Sequence, residues 1–201
     1  MGFNELLAKY GFSDTEKLLN EFNYITTFLG EDWKYSIRVE KGLKGASYAL
    51  SVMCVAQKED VDMLMYYDAR PCIMNGMFNT DTLEPLKTYY VYRAFRDIRE
   101  LGECAFSEST DKAIYEVAST DGKDGALLFT LHTGADEPTK KDISIEVSGA
   151  KHGECVRAEI YLLDDNNDLT LMREEFFTSD RFNLRMRIEN YASYLVKFIN
   201  E

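Results

Sequence analysis

Apolar residues recur at helical spacing through the first half of the chain and at alternate positions through the second. The segment FNELLAKYG places apolar residues on successive helix turns, with Gly11 suited to a C-terminal cap, and a strand is predicted over about 17–23. GLKGASYALSVMCVAQ, 42–57, carries small and apolar residues at helical spacing, and VDMLMYY, 61–67, is short, apolar and strand-like. PLKTYYVYRAFRDIRELG predicts a helix from 85, with Pro85 in its first turn and Gly102 just past its end. Strand, helix, strand, helix is the order of a parallel sheet with helical crossovers, whose strands are buried on both faces and read as apolar runs.

After Gly102 the period drops to two. DISIEVSG sets Ile143, Ile145 and Val147 against polar neighbours, and VRAEIYLL does the same with Val156, Ala158, Ile160 and Leu162. KAIYEVAS, GALLFTLHT, LTLMREEFF, FNLRMRIE and SYLVKFI complete seven predicted strands, separated by the turn signals TDGKDG, SGAKHG and DDNND. Seven short strands at this spacing predict an antiparallel β-sandwich, so the expected fold class is mixed α and β. The domain boundary falls at 102/103, and no internal repeat or low-complexity tract interrupts either part.

With 201 residues, 45% of them hydrophobic, the chain is long enough to bury a sizeable core. The net charge of -12, with no basic stripe, argues against nucleic acid and anionic membranes as partners. Cys54, Cys72, Cys104 and Cys155 are widely separated and His132 and His152 are the only histidines, so free thiols and no metal or cofactor are expected. No run of about 18 apolar residues is present that would span a bilayer, and MGFNELLAKYGF lacks the pattern of a signal peptide. The expectation is a soluble protein, cytoplasmic if the chain is complete.

Chemistry concentrates around LLNEFNY, 18–24, where Glu21 stands at the end of an apolar run. Asn20 and Asn23 flank it, with amides suited to bonding a sugar hydroxyl, orienting the carboxylate or closing the strand. Trp33, in LGEDWKYS, reads as a loop aromatic placed to stack on a sugar or to plug the loop. In YYDARP, alternation sends Tyr66 and Tyr67 to opposite faces, while Asp68 and Arg70 are spaced to pair with each other. PCIMNGMFN and the aromatic stripe YYVYRAF read as packing, DDNND as a hairpin turn, and neither histidine is given a role.

YGFSDTEKLLNEFNY, KGASYALSVMCVAQKEDVDMLMYYDARP and NGMFNTDTLEPLKTYYVYRAFRDIRELG, taken in order, resemble the end of the catalytic barrel of glycoside hydrolase family 39, the β-xylosidase family. The resemblance implies that residues 1–102 are the two terminal βα units of a (β/α)8 barrel and that 103–201 are the sandwich that follows it. It places Glu21 as the nucleophile at the end of strand seven and Tyr67 against the sugar at strand eight; Asn20, Asn23, Trp33 and Asp68 are further candidate substrate contacts from their residue type and their place at or after the strand ends. A retaining glycosidase needs a second carboxyl group about 5 to 5.5 Å from the first. In the family that acid/base residue follows strand four, outside this chain, so the resemblance implies a fragment, inactive alone, of an enzyme acting on a β-linked oligosaccharide or xyloside. The open strand edges imply a homo-oligomer or a missing barrel portion as partner. A carbohydrate-associated binding or scaffolding module is the alternative, and it requires exposed aromatics, with Tyr115, Phe129, Tyr161 and Phe177 available.

Overall fold

A computed structural model describes residues 3–59 and 61–201. Helix α1 (Phe3–Lys9) is followed by Gly11 at φ 82°, then strand β1 (Leu18–Phe22), helices α2 (Gly30–Glu40) and α3 (Leu43–Lys58), strand β2 (Met63–Tyr66) and helix α4 (Lys87–Glu100). β1 and β2 pair in parallel, with Leu18 opposite Met63, Leu19 opposite Leu64 and Phe22 opposite Tyr66. The predicted alternation of strand and helix is present, with one helix added. Trp33, expected in a loop, lies in α2, whose buried positions are Ser36, Val39 and Glu40. Two of those three are polar, so no apolar stripe announces the helix.

The second part carries eight antiparallel strands rather than seven: β3 (Glu103–Ala105), β4 (Ile114–Thr120), β5 (Gly125–Leu131), β6 (Lys140–Ser148), β7 (Val156–Leu163), β8 (Asp168–Phe177), β9 (Arg181–Glu189) and β10 (Ser193–Asn200). Three residues give β3 too little alternation to be read from sequence. Six strands form one sheet in the order β3-β4-β5-β10-β7-β8, and β6 pairs with β9 alone. Alternation assigns the faces. Phe182, Leu184, Met186 and Ile188 of β9 are buried against Phe129, Leu131, Val156, Ile160 and Val196 of the large sheet. In DDNND, Asp164 Oδ1 accepts the backbone N–H groups of Asn166 and Asn167, both at 2.8 Å, which closes the turn before β8.

The other face of the large sheet is covered by helices. Ala46, Leu50 and Met53 of α3 and Val91, Ala94 and Ile98 of α4 pack with Val117, Leu128, Leu163 and Leu195. Residues on either side of position 102 therefore share one core. Ser47 Oγ and Thr130 Oγ1 lie 2.7 Å apart across this contact, and Lys197 Nζ reaches Asp97 Oδ2 at 2.6 Å.

Where α3 meets the end of β5, His132 Nδ1 lies 3.1 Å from Ser47 Oγ and its ring sits between Tyr48 and Tyr191. Burial, aided by the nearby Lys44 ammonium, holds the imidazole pKa down at about 4. The unfolded chain thus takes up a proton near pH 6.5 that the folded chain refuses until about pH 4. Stability is expected to fall by roughly 2 to 3 kcal/mol as pH drops through that window. Glu40, whose carboxyl is raised by burial, acts in the opposite sense. The difference between wild type and His132→Gln in urea melts from pH 7 to pH 4 isolates the histidine, and parallel pH profiles for the two would refute the effect.

Candidate functional site

The register of β1 and β2 orients the candidate residues. Phe22 and Tyr66 meet edge to face with ring centroids 5.5 Å apart, and Tyr66 also meets Tyr92 of α4 at 5.6 Å, so this face is the helix-covered one. Strand alternation then turns Tyr67, one residue after Tyr66, to the opposite and uncovered face, while in β1 the register shifts between Leu19 and Phe22, and Glu21 lies exposed at that irregularity, next to Phe22. Met63, Met65 and Tyr67 are 46%, 42% and 40% exposed there, and Leu18, opposite Met63, extends the apolar surface onto β1. Glu21 is exposed and makes no hydrogen bond or ion pair among the described residues.

The chain leaving each strand is tied to the other. Asn23 Nδ2 donates to the Tyr67 carbonyl at 2.7 Å while its Oδ1 accepts from the Ile25 N–H at 2.9 Å. Asn75 Nδ2 donates to the same carbonyl at 3.3 Å, and the Tyr67–Asp68 peptide is cis. Arg70 Nε lies 2.7 Å from Asp68 Oδ2, the pairing expected from sequence, while Asp68 Oδ1 and Asn75 Oδ1 are buried without partners. Gly76, at φ 110°, closes the following loop where a Cβ would stand 2.0 Å from the Arg70 carbonyl oxygen. In that loop the backbone N–H groups of Asn75 and Met74 lower the Cys72 thiol below its usual pKa. Asn23→Ala is expected to cost about 1 kcal/mol in urea unfolding, since it removes two bonds at a partly solvated position. No measurable loss would show that the tether carries no stability.

Two residues passed over in sequence support this arrangement from below. Glu40, only 1% exposed, accepts the Tyr24 N–H at 2.9 Å and the Tyr66 hydroxyl. Burial raises its carboxyl pKa against the lowering effect of those bonds, and burial beside this carboxyl pushes the Tyr66 hydroxyl far up. Lys44 donates to Asp136 at 2.6 Å and to the Tyr35 hydroxyl and Gly134 carbonyl at 3.1 Å, with the rings of Tyr24, Tyr35 and Tyr191 around it. Burial opposes its charge, but the Asp136 bond and the tyrosines outweigh it and raise its pKa. The chain just beyond Glu21 is thus held at its backbone by Glu40 and at the Tyr24 ring by Lys44. Nothing in sequence marks either residue, because a charged residue in a helix reads as a solvated one.

Other candidates lie apart. Asn20 is exposed on β1, and Trp33 is half-buried in α2. Tyr115, Phe129, Tyr161 and Phe177 form no exposed aromatic platform. Phe129 is 2% exposed, Phe177 stacks on Phe182 at 4.0 Å, Tyr161 bonds Glu159 at 2.8 Å, and Tyr115 packs against the helix-side core. All four cysteines are free. Among the described residues no helix is long and apolar enough to cross a membrane, and no three His, Cys, Asp or Glu side chains are grouped to hold a metal ion.

No family model matches the chain and no curated protein matches it in sequence. In fold it is similar to glycoside hydrolases of family 39 and related families. A glucosidase from Croceicoccus marinus superposes with a TM-score of 0.73 at 14% identity, over 98% of this chain and 48% of that one. A monomeric β-xylosidase from Caulobacter crescentus gives 0.72 at 11% identity, over 98% and 48%. A family 39 enzyme from Xanthomonas axonopodis gives 0.70 at 9% identity, over 94% and 46%. The chain spans about half the length of these proteins.

Proposed function

We propose that this chain is the C-terminal part of a retaining β-glycosidase acting on β-linked sugars such as xylosides, in which Glu21 is the nucleophile. The observation that carries the reading is an exposed Glu21 near the C-terminal end of a parallel strand, with Tyr67 on the uncovered face just past the same end of the partner strand. Catalytic residues of (β/α)8 enzymes occupy that end of the strands. In this reading β1 and β2 with their helices are units seven and eight of a barrel, residues 103–201 are a β-sandwich docked on helices α3 and α4, and the domain boundary falls at 102/103. Chain length supports it. Since 98% of 201 residues match 48% of the Caulobacter β-xylosidase, roughly 210 residues of that protein have no counterpart here. Six further units of a barrel of about 250 residues need about 190.

Double displacement requires a carboxylate to attack the anomeric carbon and a carboxylic acid, about 5 to 5.5 Å away, to protonate the leaving oxygen. Glu21 supplies the first group; the acid belongs to the absent strands. Asn20, Asn23, Tyr67, Asp68 and Trp33 are the proposed sugar contacts, with Asn23 and Asp68 also fixing the loops that carry them. The free edges of β1 and β2 are covered by the remaining barrel strands or, failing those, by other copies of the chain. A two-fold dimer would pair β1 with its copy antiparallel, so only head-to-tail association continues a parallel sheet.

The test is hydrolysis of aryl β-xylosides by the longest product of the gene that contains this chain and by the 201-residue chain alone. Turnover by the long product and none by the short one is expected. Activity in the short chain would refute the claim that the acid lies elsewhere, and an inert long product would refute the glycosidase reading.

A further inference from the structure

The layer facing the large sheet closes its core on one side only. Phe182, Leu184 and Met186 of β9 are 6%, 0% and 7% exposed, whereas their partners across the pair, Val147, Ile145 and Ile143 of β6, are only half-buried. The register leaves these three facing the same interior, and what differs is the flank. Beyond β6 lies a cleft of about 750 Å³, floored by Ala118, Leu127, Phe129 and Phe198 of the large sheet and walled on the far side by residues 105–111. Its ends are tied shut, at one by the Lys141–Asp111 ion pair and at the other by Asn200, which bonds the Lys123 carbonyl and, at 2.9 Å, the Ala150 carbonyl.

The wall formed by β6 is an unpaired strand edge. Among the described residues β6 bonds only β9, so every second backbone N–H and C=O of its nine residues points into the cleft side. The other edge of the pair is partly capped, because Arg173 Nη2 donates to the Arg185 carbonyl at 3.0 Å. Solvent-facing edges of soluble proteins are blunted by inward charges, proline or bulges. Lys141, the one inward charge of β6, sits at its start and is paired with Asp111; from Asp142 to Ser148 the strand runs in unbroken register, its inward side chains being Ile143, Ile145 and Val147, with no such device. One strand residue fills roughly 160 Å³ of a sandwich layer, from a rise of about 3.3 Å, a strand spacing of about 4.8 Å and a layer depth of about 10 Å. The cleft therefore holds one strand of about five residues.

We infer that this cleft receives one extended segment, pairing edge to edge with β6, from a part of the same gene product outside these 201 residues. The segment alternates small or apolar side chains over Ala118 and Leu127 with polar ones outward. A second copy of β6 is a poor occupant. Centring two copies on Ser144 sets Asp142 against Glu146, like charges directly opposite, between molecules that each carry a net charge of -12. Structural relatives about twice as long supply the needed polypeptide in the same chain. The inference stands apart from any hydrolytic activity.

Hydrogen exchange tests it, comparing residues 140–148 in the 201-residue chain and in the longest gene product. In the short chain about half of the β6 amides are expected to exchange roughly a hundredfold faster than those of β10, which is paired on both sides. In the long product those amides slow by about a hundredfold while β9 changes less than about threefold. Unchanged β6 exchange in the long product overturns the inference, as does a gene that encodes nothing beyond this chain. Protected β6 amides in a short chain that light scattering finds dimeric also overturn it, since a second copy would then be the occupant.

Discussion

Glu21→Gln in the long gene product is expected to lower kcat on aryl β-xylosides by about ten-thousandfold or more, while the stability of the chain stays within about 0.5 kcal/mol of wild type. The two readouts separate because Glu21 is exposed and has no bonding partner among the described residues. On the proposed role, replacing its carboxylate by an amide removes the attacking group and little else, so loss of activity without unfolding is expected. KM changes little by comparison, and mass spectrometry of quenched reactions shows a covalent glycosyl-enzyme for wild type and none for the variant. A variant that retains more than a tenth of wild-type kcat would remove Glu21 from the nucleophile's role. A variant with lost activity and equally lost stability would make it a structural residue.

Leu50→Ala is expected to destabilise the chain by about 3 to 4 kcal/mol, a large part of the roughly 5 to 15 kcal/mol that holds a typical domain. Leu50 is fully buried in α3, in the core that joins the helices to β4, β5 and β10. Deleting its branched end leaves a cavity between the two parts, which the rigid sheet cannot collapse to fill. Because that core crosses position 102, the fluorescence of Trp33 in α2 and the far-ultraviolet dichroism of the strands are expected to change together in urea, in wild type and variant alike. Two separate transitions, with only the first shifted by the substitution, would mean that 1–102 and 103–201 unfold independently.

Much of the architecture is legible in the pattern of residues. The period-two segments from 112 onward are strands, and the apolar runs at 18–22 and 63–66 are parallel strands. What escaped detection was short or polar. Helix α2 buries Ser36 and Glu40, so its contacts leave no apolar signature. Of the candidate site, the opposite facing of Tyr66 and Tyr67 and the Asp68–Arg70 pair follow from alternation and spacing, but which of the two rings faces outward does not. The holds on Tyr24 by Glu40 and Lys44 did not, because residues 16 and 20 positions away in sequence meet only after α2 has turned back on β1.

The sequence alone therefore determines the strand or helix character of the strongly periodic segments, since that follows from the local spacing of apolar side chains, but not of α2 or β3. It also determines that Glu21 ends a strand. Tertiary structure alone decides that the helical part and the sheets share one core, that Tyr67 opens onto a face left uncovered while Glu21 lies exposed on the neighbouring strand, and that β6 keeps a free edge beside a cleft. Those are properties of long-range packing. They depend on which surfaces find partners, and the alternation of a single strand carries no record of its neighbour.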